Sequence, residues 1–309
     1  MPRLILPDDY SNLELIEQNQ RHIKYRARYK NKPVFIKQIN SLRLKKNIRH
    51  EIFGLEAFRQ LADAIRLDFK VPKIIDYGSD YLITSWAEGQ PIDFDPAQPD
   101  FDNHIRFFAK SFAKIDHASH LANHLPAGFS TRSKQIDSSI RQLHKRVMST
   151  GYQQYFDLRL IDQALEYLSA HADLLEARLT HADFTPNNVL DSSGKKTLID
   201  YESVGLRWPR FYDLTNFTYN RMILYPELTL GCTRLIYQYF KYNQSAELEQ
   251  VISQLNLSAL IRGLSIIWEL LSDPNANHNT DSRLSQATAD RISTSLVQIM
   301  AGKPYFELL

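Results

Sequence analysis

The stretch that most restricts what this chain can fold into runs from His181 to Glu202. A polar loop, His181-Ala182-Asp183-Phe184-Thr185-Pro186-Asn187, leads through Asn188 into a short apolar strand, Val189-Leu190. Asp191-Ser192-Ser193-Gly194 then turns the chain, and Lys196-Thr197-Leu198-Ile199 returns as a second strand that delivers Asp200. The two strands of a hairpin start and end on the same side. Asn188, at the entrance, and Asp200, at the exit, are therefore predicted to lie close together, with Asp183 on the loop just before them. One carboxylate can then accept a proton, and an Asn/Asp pair offers hard oxygen ligands suited to Mg2+. A polar loop serving only its own turn backbone would need no second Asp at the end of the hairpin.

Phosphoryl transfer uses such a set, because the γ-phosphoryl group is moved mainly by positioning and charge neutralisation. The pattern His-x-Asp-x-x-x-x-Asn, followed by an apolar strand ending in Asp, resembles the catalytic loop and metal-binding Asp of the aminoglycoside phosphotransferase and choline kinase group. That resemblance implies an α+β, bilobal protein-kinase-like fold. A small antiparallel-sheet N-lobe would cover residues 1–87 and a larger, mainly helical C-lobe residues 88–309. It also implies ATP and Mg2+ as cofactors, Asp183 as the base or hydroxyl-orienting group, Asn188 and Asp200 as metal ligands, and His181 as a brace for the loop. Ala182 stands where protein kinases commonly carry Arg, and no Ala-Pro-Glu follows Asp200. Both departures point to a small-molecule kinase rather than a phosphorylation-switched protein kinase.

Upstream, Leu13–Ile16 and the alternation Ile23, Tyr25, Ala27, Tyr29 read as strands, Lys30-Asn31-Lys32-Pro33 as a turn, and Val34–Ile39 as the returning strand. Lys37 lies inside that apolar strand, where an ammonium needs a partner. In the resembled family the partners are ATP phosphate and a Glu on the next helix. That helix is predicted over about 41–65, and Glu51 is preferred to Glu56 because its spacing to Leu55 and Phe58 resembles the Glu-x-x-x-Leu-x-x-Leu rhythm of that family. Strands are expected over 71–78 and 81–86, and Ala87-Glu88-Gly89-Gln90-Pro91 as a hinge where backbone groups of Ser85 to Ala87 would meet adenine. The loop Glu17-Gln18-Asn19-Gln20-Arg21-His22 contains no glycine, and the first glycine of the chain is Gly54. Backbone N–H groups cannot then approach phosphate as closely as in a Gly-rich loop, so the grip falls to side chains such as Asn19 or Arg21. The same departure leaves a nucleotide-binding protein without turnover as the rival reading.

Beyond the hinge, helix-spaced apolar residues mark 105–115, 138–148, 158–175 and 257–271, with a final amphipathic helix over 284–300. Trp208-Pro209-Arg210-Phe211-Tyr212-Asp213-Leu214-Thr215-Asn216 resembles the choline and ethanolamine kinase branch, with Arg210, Asp213 and Asn216 at its spacing. Asp213 could equally be a helix N-cap paired with Arg210. Glu202, Asp213 and Trp268 are the candidates to hold the acceptor, expected to be a cationic alcohol of choline-like or aminosugar type. Trp208 and Tyr219 are further aromatic candidates, and Glu227 and Glu269 further carboxylates. A chain of 309 residues, 43% hydrophobic, is large enough for two cores. Its formal charge of +2 gives no argument for nucleic acid as a partner. The single cysteine, Cys232, excludes an internal disulfide and suggests a reducing compartment. With no signal-like N-terminus and with Arg262 and Glu269 interrupting the longest apolar run, no membrane insertion and a cytoplasmic location are expected.

Overall fold

The computed structural model describes residues 10–41, 45–118, 134–206, 208–243, 248–272 and 285–307. The period-two patterns near the N-terminus become strands β1 (Tyr10–Gln18), β2 (His22–Tyr29) and β3 (Lys32–Ile39). Helix α1 (Lys45–Ala64) follows, then β4 (Ile74–Tyr77) and β5 (Tyr81–Ser85). These strands form one antiparallel sheet in the order β1-β2-β3-β5-β4. Strand alternation divides β3 between two environments. Val34 and Ile36 join Ala27 and Ile83 in a buried cluster flanked by Tyr10, Tyr25, Tyr29, Ile75 and Tyr81, while Phe35 and Lys37 face the opposite side of the sheet and line a cleft.

A second, three-stranded sheet pairs β6 (Gln90–Pro91), β7 (Val189–Ser192) and β8 (Lys195–Leu198) in that order. The β7–β8 turn is made as its residues dictate. Ser193 and Gly194 take φ of 51° and 83°, and Asp191 accepts from the Gly194 N–H at 2.7 Å. Strand β6 was not anticipated. It exists because Gly89, at φ 114°, lets the hinge pass so close to β7 that a Cβ there would meet the Asp191 carbonyl oxygen at 2.3 Å.

Contacts divide the described chain into two compact units. One comprises residues 10–93 with Asp183–Val204, and the other holds the remaining described residues. The division proposed at residue 87 would place the hairpin β7–β8 in the helical lobe, whereas its contacts belong to the strand-rich unit.

The helical unit contains α2 (Phe101–Ala118), α3 (Lys134–Met148), α4 (Leu158–Ala170), α5 (Tyr212–Leu224), α6 (Thr229–Asn243), α7 (Leu248–Ser272) and α8 (Gln286–Met300). Phe94, Phe101, Phe108, Phe112 and Phe217 form an aromatic cluster inside it. Helix α7 packs on α3, α4, α5 and α8. It is long and apolar enough to cross a membrane, Arg262 and Glu269 notwithstanding, but 83% of its most apolar window is buried within the protein, as befits a core helix. The predicted helix over 158–175 ends early, at Ala170, and continues as a 3-10 turn, Ala172–Leu174. Residues 42–44 and 284, where two helices were expected to begin, lie outside the described residues, as do the turns at 126–128 and 273–279.

Candidate active site

The cleft beside β3 has a volume of about 360 Å³, within the usual range for a small-ligand pocket. Phe35, Leu55, Leu82, Trp86, Leu190 and Ile199 supply apolar walls, and Lys37, Glu51, Asn188 and Asp200 its charged and polar end. All of these belong to the strand-rich unit.

Lys37 is 3% exposed, and three carboxylates surround its ammonium: Glu51 at 2.8 Å, Asp200 at 3.2 Å and Glu202 at 3.3 Å. Glu51 is thus the helix partner, as its spacing predicts, and Glu56 is not. Burial acts to lower the Lys37 pKa, but the three carboxylates outweigh it and hold the group above its ordinary value. Burial pushes Glu51 up to about 7 against the pull of Lys37. The carboxylates of Glu51, Asp200 and Glu202 are close enough to hold a metal ion, but the Lys37 ammonium already stands among them.

The hairpin positions its polar residues as its topology requires. The Ile199 N–H donates to the Asn188 carbonyl at 2.9 Å, which sets Asn188 beside the strand exit that carries Asp200. Asn188 Nδ2 donates to the Asp183 carbonyl at 2.9 Å and to its carboxylate at 2.7 Å, fixing the orientation of the proposed base. With its amide nitrogen so committed, Asn188 has Oδ1 to offer a metal. Asp200 adopts φ 62°, a left-handed conformation that Asp tolerates better than most non-glycine residues, and its side chain is 36% exposed. Two hard oxygen donors of this kind suit Mg2+.

Several other candidates have different roles from those expected. Ser85 lines the cleft, but its N–H donates to the Lys73 carbonyl at 2.8 Å and its Oγ accepts from the Lys73 N–H at 2.9 Å. The Trp86 N–H goes to Pro33 at 3.2 Å. Ala87 is therefore the first hinge N–H without a backbone partner among the described residues. Glu202, expected to meet the acceptor, instead binds Lys37 and accepts from Arg21 at 2.7 Å, with His22 Nε2 at 3.6 Å. Burial and the Lys37 charge lower His22 to about 4, so it is neutral there. Nothing in the local pattern around Glu202 foretold this turn toward β2 and β3.

In the helical unit Asp213 neither caps α5 nor pairs with Arg210. The cap position is Phe211, at φ 69°, and Arg210 binds Asp116 at 2.6 and 2.9 Å and Glu176 at 3.3 Å. Asp213 is buried and accepts from the His181 N–H at 2.8 Å and the Ala182 N–H at 2.7 Å. Asn216 donates to the Ala182 carbonyl at 3.2 Å. These two side chains hold the peptide groups immediately before Asp183, so Asp213 is a brace and not an acceptor ligand. Ala182 itself takes φ 62°. Trp268 carries the Arg146 guanidinium 4.5 Å over its ring, which occupies the face proposed for a substrate cation. Tyr219 is fully buried, and Trp208 stacks on Tyr212 at 4.3 Å. Glu269 forms a bidentate pair with Arg262, at 2.7 and 2.6 Å.

Residues 12–229 match the profile of the family described as "Phosphotransferase enzyme family". No curated protein sequence matches the chain significantly. Among solved structures, aminoglycoside phosphotransferase APH(4)-Ia aligns with 93% of this chain and 94% of its own, at 17% identity and a TM-score of 0.59. ADP-bound aminoglycoside phosphotransferase APH(2'')-Ib aligns over 98% and 96%, at 12% identity and a TM-score of 0.56. A GDP and kanamycin complex of another APH(2'') enzyme aligns over 94% and 93%, at 16% identity and a TM-score of 0.59. The matched segment spans more than half of the chain and contains the cleft, the hairpin and the brace, and the chain therefore belongs to the phosphotransferase enzyme family and is a small-molecule kinase with the kinase-like fold of the aminoglycoside phosphotransferases.

Proposed function

We propose that this kinase transfers the γ-phosphoryl group of Mg2+-bound ATP to a hydroxyl of a small cationic alcohol, in the cytoplasm. The observation that carries the reading is the convergence in one unit of Lys37–Glu51 with Asp183, Asn188 and Asp200. Adenine would lie between the apolar walls and take the Ala87 N–H. Lys37 would neutralise phosphate charge, and Asp183, steadied by Asn188, would orient the acceptor hydroxyl and receive its proton. Asn188 and Asp200 would hold Mg2+, which would supply positive charge to offset that of the phosphates.

For the acceptor, the aminosugar type is favoured over the choline type. Trp268 and Trp208 have the ring contacts described above, Tyr219 is buried with its ring edge-on to Tyr305 at 5.8 Å, and the three do not form an open aromatic cage. Glu227 and Glu269 remain as exposed or half-exposed carboxylates of the helical unit. Some solved neighbours are complexes with kanamycin or hygromycin B. The test is ATP consumption across a panel of aminosugars, amino alcohols and neutral polyols, with and without Mg2+. Turnover confined to neutral or acidic alcohols would refute the cationic acceptor. Nucleotide binding with no turnover on any of them would favour the reading without catalysis, which the Gly-free loop supports.

A further inference from the structure

The loop between β1 and β2 is closed upon itself by Asn19. Its Oδ1 accepts from the N–H groups of Arg21 and His22, both at 2.8 Å, and its Nδ2 donates to Glu17 at 2.6 Å. Its own N–H donates to the His22 carbonyl at 2.9 Å, Asn40 Nδ2 donates to the Asn19 carbonyl, and the Asn40 N–H donates to Arg21 at 3.0 Å. The N–H groups of Arg21 and His22, which a Gly-rich loop could turn toward phosphate, are here spent on the Asn19 side chain. What the loop does carry toward the charged end of the cleft is the Arg21 guanidinium. It meets Glu202 Oε1 at 2.7 Å, while Lys37 Nζ stands 3.3 Å from Glu202 Oε2. Two cations, one from the β1–β2 loop and one from β3, thus converge on the two oxygens of one carboxylate. The Arg21 side chain is 56% exposed, so it can leave that contact at little cost, whereas Lys37 is fixed.

We propose that Arg21 grips the phosphates of a nucleoside di- or triphosphate, and that in the nucleotide-free protein Glu202 holds the place which a phosphate group takes. Resting on the kinase reading above, this assigns the phosphate grip to a side chain in place of the backbone. On binding, two phosphate oxygens replace the Glu202 oxygens between Arg21 and Lys37, and the Glu202 carboxylate is expelled by like charge. Arginine suits the exchange because its planar fork matches phosphate as well as carboxylate.

The experiment is calorimetric titration of ADP and of adenosine, in EDTA so that no metal contributes, into wild type, Arg21→Ala, Arg21→Lys and Glu202→Gln, with circular dichroism to confirm folding. Arg21→Ala is expected to weaken ADP binding by about 10- to 100-fold, as for loss of a charge-assisted hydrogen bond, and to leave adenosine unchanged. Arg21→Lys should recover part of the loss. Glu202→Gln should tighten ADP binding severalfold, and by less when Arg21 is also Ala, where only the contact of Glu202 with Lys37 is left to displace. Equal effects on ADP and adenosine, or none on ADP, would overturn the assignment of Arg21 while leaving the kinase reading standing. An unchanged or weakened ADP affinity in Glu202→Gln would overturn the exchange. Failure of wild type to bind either ligand would sink the nucleotide reading itself, and this proposal with it.

Discussion

Gly54 tests how the site is held. It lies on α1 one turn after Glu51, and a Cβ placed there would meet the Tyr201 carbonyl oxygen at 2.5 Å, the Val204 Cβ at 2.9 Å and the Tyr201 Cβ at 3.0 Å. Ordinary contact begins near 3.4 Å, so Gly54→Ala forces Tyr201 and α1 apart by about 0.9 Å. Tyr201 has little freedom to absorb this. Its ring is buried against Phe58, and its hydroxyl donates to the Leu198 carbonyl at 3.1 Å. The displacement therefore passes to its neighbour Asp200 or, through α1, to Glu51. For stability, overpacking costs about 1–3 kcal/mol, and the better helix propensity of Ala returns about 1 kcal/mol, so a net loss of about 0–2 kcal/mol is expected. For activity, a misplacement of about 1 Å can cost on the order of 10²-fold. Gly54→Ala should thus remain folded by urea titration while its kcat with Mg2+-ATP falls by about 10²-fold. Gly151→Ala, whose Cβ would meet only the flexible Gln154 amide at 3.3 Å, is the control and should be unaffected. A Gly54→Ala enzyme with kcat within threefold of wild type would refute the idea that the seat of α1 on Tyr201 sets the geometry of Asp200.

Asp183→Ala should abolish transfer while leaving nucleotide affinity and the melting temperature nearly unchanged; retention of activity within a fewfold would remove Asp183 from its role. Asp200→Asn should abolish the Mg2+-dependent part of the thermal shift produced by ATP, and an unchanged shift would show that the metal is held elsewhere. Asp213→Ala leaves the N–H groups of His181 and Ala182 without their carboxylate acceptor. It should destabilise by about 1–3 kcal/mol per group in urea unfolding, and lower kcat more than it raises KM. Burial pushes the Cys232 thiol up to about 12, so a thiol reagent at pH 8 should label it only as the protein unfolds; fast labelling of native protein would contradict its burial.

What could be read from sequence was what local chemistry determines. The β7–β8 hairpin follows from apolar strands around Asp191 and Gly194, and with it the approach of Asn188 to Asp200. Lys37 was legible because a lysine in an apolar strand needs an anion, and Glu51 because its spacing to Leu55 and Phe58 matched the resembled family's rhythm. The roles of Glu202, Asp213 and Trp268 were not. Each is decided by a partner far away in the chain, whether Arg21, the peptides at 181 and 182, or Arg146, and no local period encodes such pairings. The bonds of the Ser85 N–H and Oγ to Lys73 were hidden for a similar reason, since only the folded sheet supplies that partner.

Because Asp213 and Asn216 grasp residue 182 by its peptide atoms, what natural variation can write at that position is filtered by torsion rather than by chemistry. At φ 62°, Gly, Asn and Asp would sit comfortably, whereas Val, Ile and Thr would clash with their own backbone. A saturation library at 182 should therefore admit Gly, Asn and Asp and reject the β-branched residues. A loop held in this way keeps its catalytic geometry while its surface drifts.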